Sequence, residues 1–205
     1  MTHPFCRRCW SDITRYTGPA CKICGVPFAS QYAEVCAACL KKAPPFTRAE
    51  SFGLYENILA TAINLYKFHG VRRLYTPLGR LLLGFDIAAD AVVPVPLGIK
   101  GLRERGFNQS LLLAKVISRH TGIPLTMDGL VKIRETRPQV GLSSKERARN
   151  LRGAFTVRGN FRKMRLLLVD DVMTTGATVK ECATQLLNAG AEEVAVLTLA
   201  RASTL

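Results

Sequence analysis

The stretch LLLVDDVMTTGAT at residues 166–178 constrains the fold more than any other part of this chain. Its first four residues are apolar without polar alternation, which predicts a strand covered on both faces, as in a parallel sheet. Asp170 and Asp171 are expected to leave this strand at its carboxyl end, the edge at which open α/β sheets bind ligands. A helical pattern follows over residues 177–189, with Gly190 as its stop. The order of elements predicts an α/β fold.

The residues between the acid pair and the helix are suited to an anion. They offer closely spaced backbone N–H groups, hydroxyls and a glycine at the start of a helix, where the helix dipole favours negative charge. These residues are Thr174, Thr175, Gly176, Ala177 and Thr178. The carboxylates repel a phosphate, so their expected partners are sugar hydroxyls beside it or a metal ion attached to it. The stretch therefore predicts a sugar-phosphate site; the alternative is a solvated strand end followed by an ordinary turn.

Other segments alternate between helical and strand-like patterns. Helices are predicted over residues 58–69, around 78–82 with an interruption near Pro77, over 108–121, and from Ser143 as a short basic helix. Strands are predicted at residues 91–95, 130–133 and 194–199. Strands separated by helices imply a mostly parallel sheet covered on both faces.

Six of the seven cysteines form three C-x-x-C pairs near the start of the chain. In a reducing compartment this spacing favours thiolate coordination of a structural zinc ion over disulfides. Two sets of four are open. Adjacent pairs favour Cys21, Cys24, Cys36 and Cys39, whereas Cys6 and Cys9 with Cys21 and Cys24 have the same spacing. Redox-active or incidental pairs are the remaining alternative.

The domain organisation follows from the composition. The sequence KKAPPF at residues 41–46 breaks regular structure, which predicts a cysteine-rich head at residues 1–43 and a main domain at residues 44–205. No apolar run reaches membrane-spanning length, and the first ten residues lack the apolar core of a signal peptide. We therefore expect a cytoplasmic protein with reduced thiols and no membrane insertion.

The net charge of +14 is unevenly distributed. Between Lys100 and Arg165, sixteen Lys and Arg stand against four acids, a balance of +12. A basic field of this breadth suits a polyanion such as single-stranded DNA. The aromatic residues available there for base stacking are Phe107, Phe155 and Phe161, each of which also fits a core position. The alternative is a basic surface that meets nucleic acid adventitiously.

The sequence VDDVMTTGAT resembles the phosphoribosyl pyrophosphate (PRPP) signature of type I phosphoribosyltransferases. The resemblance implies that Asp170 and Asp171 hold the ribose hydroxyls and that residues 174–178 hold the 5-phosphate. It also implies a pyrophosphate loop within residues 93–110 and a mobile flap within residues 136–155. The loop residues would be Pro96, Leu97, Lys100, Arg103 and Arg105, and the flap candidates are Arg137, Gln139, Lys145 and Arg147.

Across the whole chain, the order of motifs resembles the ComF family of competence proteins. The motifs are the cysteine pairs, KKAPPF, YKFHG, VPVPL, RERGFNQS, RPQVGLS, RARNLRGAF and VDDVMTTGAT. The resemblance implies a zinc ribbon ahead of a phosphoribosyltransferase-like domain, with structural Zn and with Mg bound together with PRPP. It further implies a role in natural transformation, with single-stranded DNA and a DNA-uptake helicase or other competence proteins as partners.

Two other functions remain open. One is an active phosphoribosyltransferase that displaces pyrophosphate from PRPP with an unidentified acceptor. The other is a zinc-ribbon nucleic-acid-binding protein whose α/β domain is an inert scaffold. Leu97 favours binding over turnover, because catalytic relatives more often carry an acidic or small residue at this position.

Overall fold

A computed structural model of the chain describes residues 6–136 and 144–203. In chain order the strands are β1 (Arg48–Leu54), β2 (Ala91–Pro94), β3 (Leu130–Lys132), β4 (Phe155–Val157), β5 (Arg165–Met173) and β6 (Glu193–Arg201). The helices are α1 (Arg7–Ser11), α2 (Ala37–Lys41), α3 (Asn57–Phe68), α4 (Tyr75–Leu81), α5 (Ile99–Arg105), α6 (Gln109–Thr121), α7 (Ser144–Leu151) and α8 (Ala177–Asn188). Short 3-10 helices span Arg72–Leu74 and Leu82–Gly84.

The main sheet has the strand order β1-β6-β5-β2, and its neighbouring strands are parallel. This confirms the predicted α/β class with a mostly parallel sheet. The apolar run of β5 is buried on both faces, as its lack of alternation predicts. Leu166 and Leu168 pack into one apolar cluster, and Leu167 and Val169 pack into another. The alternating side chains of one strand thus separate two cores.

The two cores are covered by different elements. Helices α3, α4 and α6 contribute buried side chains to the cluster around Leu167, including Ile63, Leu78 and Leu113. Helix α8 contributes Val179 and Cys182 to the cluster around Leu168. Cys182 is fully buried there. Beside α8, β3 and β4 form a separate two-stranded antiparallel sheet.

The three long predicted helices are confirmed with small shifts of their ends. Helix α6 begins after Asn108, whose side-chain oxygen accepts from the backbone N–H of Ser110 at 3.0 Å and of Leu111 at 3.3 Å. Gly122 ends this helix with a φ of +76°, a conformation that glycine adopts without strain. Helices α3 and α8 occupy Asn57–Phe68 and Ala177–Asn188.

Several expectations about local structure are wrong. Pro77 does not interrupt its helix, because it lies in the first turn of α4, where a missing N–H breaks no hydrogen bond. The sequence analysis missed β1, an edge strand whose polar Glu50 and Ser51 hide its strand pattern. Strand β5 does not stop before the acid pair. It continues to Met173 because β6 pairs Asp170 with Thr198 and Met173 with Arg201.

The cysteine-rich head packs against the outer strand of the sheet. The backbone N–H of Ala49 in β1 donates to the carbonyl of Ile23 at 2.7 Å. Gly25 has a φ of +66°, and a Cβ at this position would lie 2.7 Å from the Ala49 carbonyl oxygen. This close approach requires glycine. Within the described ranges, none of the helices has both the length and the apolar character needed to cross a membrane.

Candidate functional site

Asp170 and Asp171 lie three and two residues before the end of β5, at the carboxyl edge of the sheet. The Ser110 hydroxyl donates to Oδ1 of Asp170 at 2.8 Å. The Lys67 ammonium lies 2.9 Å from Oδ1 and 2.8 Å from Oδ2 of Asp171, with good hydrogen-bond geometry to Oδ1. The carboxylates are only 8% and 2% exposed, which excludes a solvated strand end. The acid pair is therefore a buried polar site held by α3 and α6.

Burial raises the pKa of Asp170 above its usual value, and the neighbouring charge of Asp171 raises it further. The Lys67 ammonium and the Ser110 hydroxyl act in the opposite direction, because both stabilise the ionised carboxylate. The hydrogen bond that the backbone N–H of Asp171 donates to Asp170 also lowers the pKa, but burial and the Asp171 charge outweigh all three downward effects. A ligand that offers hydroxyl donors or a bound cation to Asp170 would stabilise the ionised carboxylate and lower this pKa. Such a ligand would therefore bind more tightly to the ionised form than to the protonated form.

The loop after β5 turns sharply into α8. Gly176 has a φ of +74°, and a Cβ there would lie 2.7 Å from Cε of Met173. The backbone N–H of Lys180 donates to the Gly176 carbonyl at 2.9 Å, which closes the first turn of α8. Thr174, Thr175 and Gly176 therefore precede a helix of twelve residues, with Ala177 and Thr178 in its first turn. This is the arrangement that the sequence predicts for a phosphate loop.

The segment predicted as a pyrophosphate loop folds differently from the expectation. Pro96 and Leu97 follow β2, but Lys100, Arg103 and Arg105 lie on a helix, α5, and not in a loop. Gly106 ends α5 with a φ of +74°. Lys100 and Arg103 are exposed, and the backbone N–H of Lys100 donates to Oε1 of Glu135 at 2.9 Å.

Of the four flap candidates, Arg147 is the one whose contacts the structure describes. It lies on α7, and its guanidinium donates to the hydroxyl of Thr174 at 3.1 Å. Arg137 and Gln139 lie outside the described residues, as does the side chain of Lys145. The structure therefore brings one predicted flap residue to the predicted phosphate loop.

Sequence reasoning missed two residues of the acid-pair site, Lys67 and Ser110. Both lie in motifs that carried the family resemblance, YKFHG and RERGFNQS, but neither was assigned a role. In the sequence, Lys67 is a lysine near the end of an amphipathic helix, and Ser110 is a serine two residues after a helix cap. Neither pattern specifies a contact 104 or 60 residues away along the chain.

Cys21, Cys24, Cys36 and Cys39 form a cluster whose sulfur atoms all lie within 4.8 Å of one another. Sulfurs bound tetrahedrally to zinc at about 2.3 Å would be about 3.8 Å apart. The Cys24 and Cys36 sulfurs are separated by 3.7 Å, so the cluster fits this ion. Cys6 and Cys9 are not part of this group in the described part of the chain.

Backbone N–H groups around the cluster favour thiolates. The N–H of Cys36 donates to the Cys21 sulfur at 3.3 Å. Burial raises the pKa of Cys21, but hydrogen bonds from Cys24, Cys36 and Ile23 outweigh it and lower the pKa to about 7. In a zinc knuckle, such N–H groups donate to the coordinating sulfurs and stabilise them as thiolates. The residues present therefore fit structural zinc.

Arg201, the last residue of β6, joins the cysteine cluster to the loop after β5. It is 5% exposed. Its Nε donates to the Cys24 carbonyl at 3.2 Å, and its Nη1 donates to the Met173 carbonyl at 2.9 Å and also to the Thr174 carbonyl. Burial lowers the pKa of this guanidinium, while the cysteine sulfurs raise it.

Two family models match different parts of the chain. A phosphoribosyl transferase domain model matches residues 108–204, and a double zinc ribbon domain model matches residues 1–40. Among solved structures, the glutamine PRPP amidotransferase of B. subtilis is similar at a TM-score of 0.41 and 28% identity, over 69% of this chain and 26% of that one.

Curated relatives match over nearly the whole chain. Competence protein F of Haemophilus influenzae is 35% identical over 96% of this chain and 90% of its own length. The DNA utilization protein YhgH of Escherichia coli K12 is 35% identical, with coverage of 93% and 88%. Competence protein ComFC of Bacillus subtilis is 28% identical, with coverage of 96% and 83%.

The fold and the two sites define a phosphoribosyltransferase-type domain that carries an N-terminal zinc ribbon. The chain belongs to the family of competence protein F, ComFC and YhgH, as the sequence analysis predicted. The names of these relatives support a role in competence and DNA utilization.

Proposed function

We propose that this protein binds PRPP at the carboxyl edge of its sheet. The 5-phosphate would lie in the loop formed by residues 174–178, and Asp170 and Asp171 would hold the ribose hydroxyls. The observation that carries the proposal is the buried acid pair followed directly by a glycine turn into α8. Membership of a family with a phosphoribosyl transferase domain supports the same ligand.

The surrounding cations suit the charge of PRPP. Mg²⁺, when bound with PRPP, would neutralise pyrophosphate and ribose oxygens. Lys100, Arg103 and Arg105 on α5 would face the pyrophosphate side, and Arg147 already contacts Thr174 of the phosphate loop. The Lys67 ammonium pairs with the carboxylate of Asp171, whose oxygens can accept hydrogen bonds from sugar hydroxyls.

Calorimetry with PRPP and Mg²⁺ tests this proposal. The wild-type protein is expected to bind, and Asp170→Asn with Asp171→Asn is expected to abolish binding while preserving the shape of both side chains. Asp128→Ala, which removes an exposed carboxylate, is the matched control and should leave the affinity unchanged. Equal affinity in the wild type and the double variant would overturn the assignment.

Within competence, we propose that the protein handles single-stranded DNA. The support is the basic region and the relatives' names. Exposed cations in this region include Arg103, Arg149, Arg152, Arg158, Arg162 and Lys163. Affinity for a single strand is expected to fall steeply with salt, and neutralising Arg103, Arg105 and Arg147 should flatten this dependence. DNA binding without any PRPP binding would favour the inert-scaffold alternative.

Turnover of PRPP is a second candidate function, favoured by the contact between Arg147 and Thr174. A flap cation at the phosphate loop is suited to stabilising a leaving pyrophosphate. Release of pyrophosphate from PRPP, measured with a panel of nucleophilic acceptors, separates an enzyme from a binding module. Pyrophosphate release by the wild type that is lost in Arg147→Ala would establish turnover. PRPP binding without pyrophosphate release would support a binding role alone.

A further inference from the structure

Phe68 is an exposed aromatic residue beside the candidate PRPP site. It ends α3 and is 61% exposed, although its neighbour Tyr66 is fully buried and the side chain of Lys67 is only 21% exposed. The Tyr66 hydroxyl donates to the Gln109 carbonyl at 2.8 Å, and Lys67 pairs with Asp171. The last turn of α3 is thus anchored on two sides, and it presents the Phe68 ring at a fixed place on the surface.

Cations lie close to this ring. The Arg105 guanidinium is 5.2 Å from the ring centroid, and the Lys67 ammonium is 5.8 Å from it. Arg105 ends α5, so Phe68 lies between the helix with the proposed pyrophosphate contacts and the lysine of the acid pair. Arg72 and Arg73, which follow α3 in the chain, are exposed. The aromatic candidates from the sequence, Phe107, Phe155 and Phe161, are all buried.

We propose that Phe68 and Arg105 form a stacking platform for a nucleobase at the rim of the candidate PRPP site. Bases stack on exposed aromatic rings and on arginine guanidinium planes, and neighbouring cations bind the attached phosphates. This inference rests on the proposed function. The base has two sources with the same chemistry: a single DNA strand crossing the rim, or a free base that would act as acceptor.

A binding assay with labelled single-stranded oligonucleotides tests the platform. Phe68→Ala is expected to weaken binding roughly 5- to 150-fold, the range that loss of one stacked base predicts. Phe68→Trp should retain the affinity, and Phe68→Leu should not. Tyr32→Ala is the matched control, because Tyr32 is a 98% exposed aromatic residue on the cysteine-rich head. An abasic strand of equal length should be insensitive to Phe68→Ala, since it keeps its phosphates.

The two sources give different outcomes. Loss of oligonucleotide affinity in Phe68→Ala identifies a DNA base, whereas unchanged oligonucleotide affinity with lost binding of free bases in the presence of PRPP identifies an acceptor. If Phe68→Ala changes neither, or weakens the abasic strand equally, the platform is wrong. PRPP calorimetry on the wild type and on Phe68→Ala separates the two proposals. A wild-type protein that binds neither PRPP nor DNA would overturn the proposed function and not the platform alone.

Arg201 carries a second, independent inference. Its guanidinium is buried between the Cys24 carbonyl and the carbonyls of Met173 and Thr174. No ion pair found among residues 6–136 and 144–203 includes it. A zinc ion with four thiolates carries a net negative charge, which is a suitable partner for this cation.

We further infer that Arg201 is a positioning residue that couples the zinc ribbon to the proposed phosphate loop. A planar guanidinium can donate to the Cys24 carbonyl and to the carbonyls of Met173 and Thr174 at once. The position of Cys24 therefore helps to fix the start of the loop. Loss of zinc would free the Cys24 carbonyl from Arg201. The backbone at Thr174 would then be held less firmly. This inference also rests on the proposed function.

Zinc retention and PRPP affinity, measured on the same variants, test the coupling. Arg201→Met is expected to lose zinc faster to a chelator and to bind PRPP at least tenfold more weakly. Arg201→Lys keeps the charge but not the fork, so it should retain zinc better than Arg201→Met and still bind PRPP weakly. Arg165→Met removes an exposed arginine at the opposite end of β5 and is the matched control.

Hydrogen exchange at residues 174–176 gives a measurement that does not need PRPP. Removing zinc from the wild type should speed exchange there, and Arg201→Lys should abolish this dependence on zinc. Exchange and PRPP affinity that are both indifferent to zinc would overturn the coupling. A loop that responds to zinc in a protein that never binds PRPP would support the coupling and count against the proposed function.

Discussion

Asp170 combines a buried position with a proposed role in binding ribose hydroxyls that favours the ionised carboxylate. Burial and the charge of Asp171 raise its pKa to about 7. An unfolded aspartate titrates near 4, so the folded protein binds a proton more tightly than the unfolded chain between these values. Stability contributed by this group is complete below about pH 4 and is lost as the pH rises through about 7. Without a ligand, the ionisation of buried Asp170 therefore lowers the free energy of unfolding at neutral and higher pH.

Asp170→Asn is expected to stabilise the unliganded protein, and to do so more at pH 8 than at pH 5. The neutral amide keeps an oxygen to accept from Ser110 but cannot ionise in the buried site. Thermal unfolding of both proteins at the two pH values measures the difference. Under the proposed function, the same substitution should also weaken PRPP binding, because a binding site often gives up stability for affinity.

Asp90→Asn is the control for this pH dependence. Hydrogen bonds from Arg165 lower the pKa of Asp90 to about 2, so this carboxylate is ionised at both pH values. Its loss should therefore change the melting temperature equally at pH 5 and pH 8. A stabilisation by Asp170→Asn that is also equal at the two values would contradict the ionisation of Asp170 as its cause.

Helices α4 and α6 pack together through a glycine. Gly79 in α4 is buried, and a Cβ there would lie 2.7 Å from Cβ of Val116 in α6. Alanine at this position gains helix propensity of about 1 kcal/mol but must push the two helices apart. Overpacking of this kind costs about 1–3 kcal/mol, so we expect Gly79→Ala to lower the free energy of unfolding in denaturant titrations.

Val116→Ala provides the matched test of that contact. It removes the two Cγ methyl groups of Val116, which lie 2.9 and 3.0 Å from the added Cβ, but keeps the Val116 Cβ at 2.7 Å, so the double variant should recover part of the stability that Gly79→Ala loses. Additive effects of the two substitutions would show that the helices do not meet at this pair.

Elements with strong periodicity were predictable, and elements defined by their neighbours were not. Asn108 and Gly122 are residue types that favour the two ends of a helix, and in the structure they cap α6. Strand β1 has no such signal, because its pairing with β6 depends on residues almost 150 positions away. The same holds for the end of β5, which is set by the length of β6. Local patterns contain no information about these partners.

The candidate sites divide in the same way. The acid pair and the phosphate loop are contiguous in sequence, so one strand-loop-helix pattern predicts them together. Lys67, Ser110 and Arg201 reach this region from three other elements, and only the folded sheet brings them there. The cysteine cluster was predicted as one of two sets, and the choice between them depended on which sulfurs converge.

At the scale of the whole molecule, the ribbon and the sheet share one core. Cys21, Cys24 and Cys39 belong to the same buried cluster as Ala49 of β1 and Leu168 of β5. A ribbon that packs in this way cannot unfold without exposing apolar surface of the main domain. Ligation of zinc by the four cysteines should therefore stabilise the entire protein and not the head alone.

Removal of zinc by a chelator is expected to lower the main melting transition by at least about 5 °C, since about 1 kcal/mol shifts the melting temperature of a chain of this size by about 2–4 °C. Cys21→Ser with Cys39→Ser should give the same shift and lose the metal. Cys6→Ser with Cys9→Ser should keep both the metal and the melting temperature, because these residues lie outside the cluster. A main transition that stays in place while zinc is lost would mean that the ribbon unfolds separately, and that the shared core contributes little to the stability of the sheet.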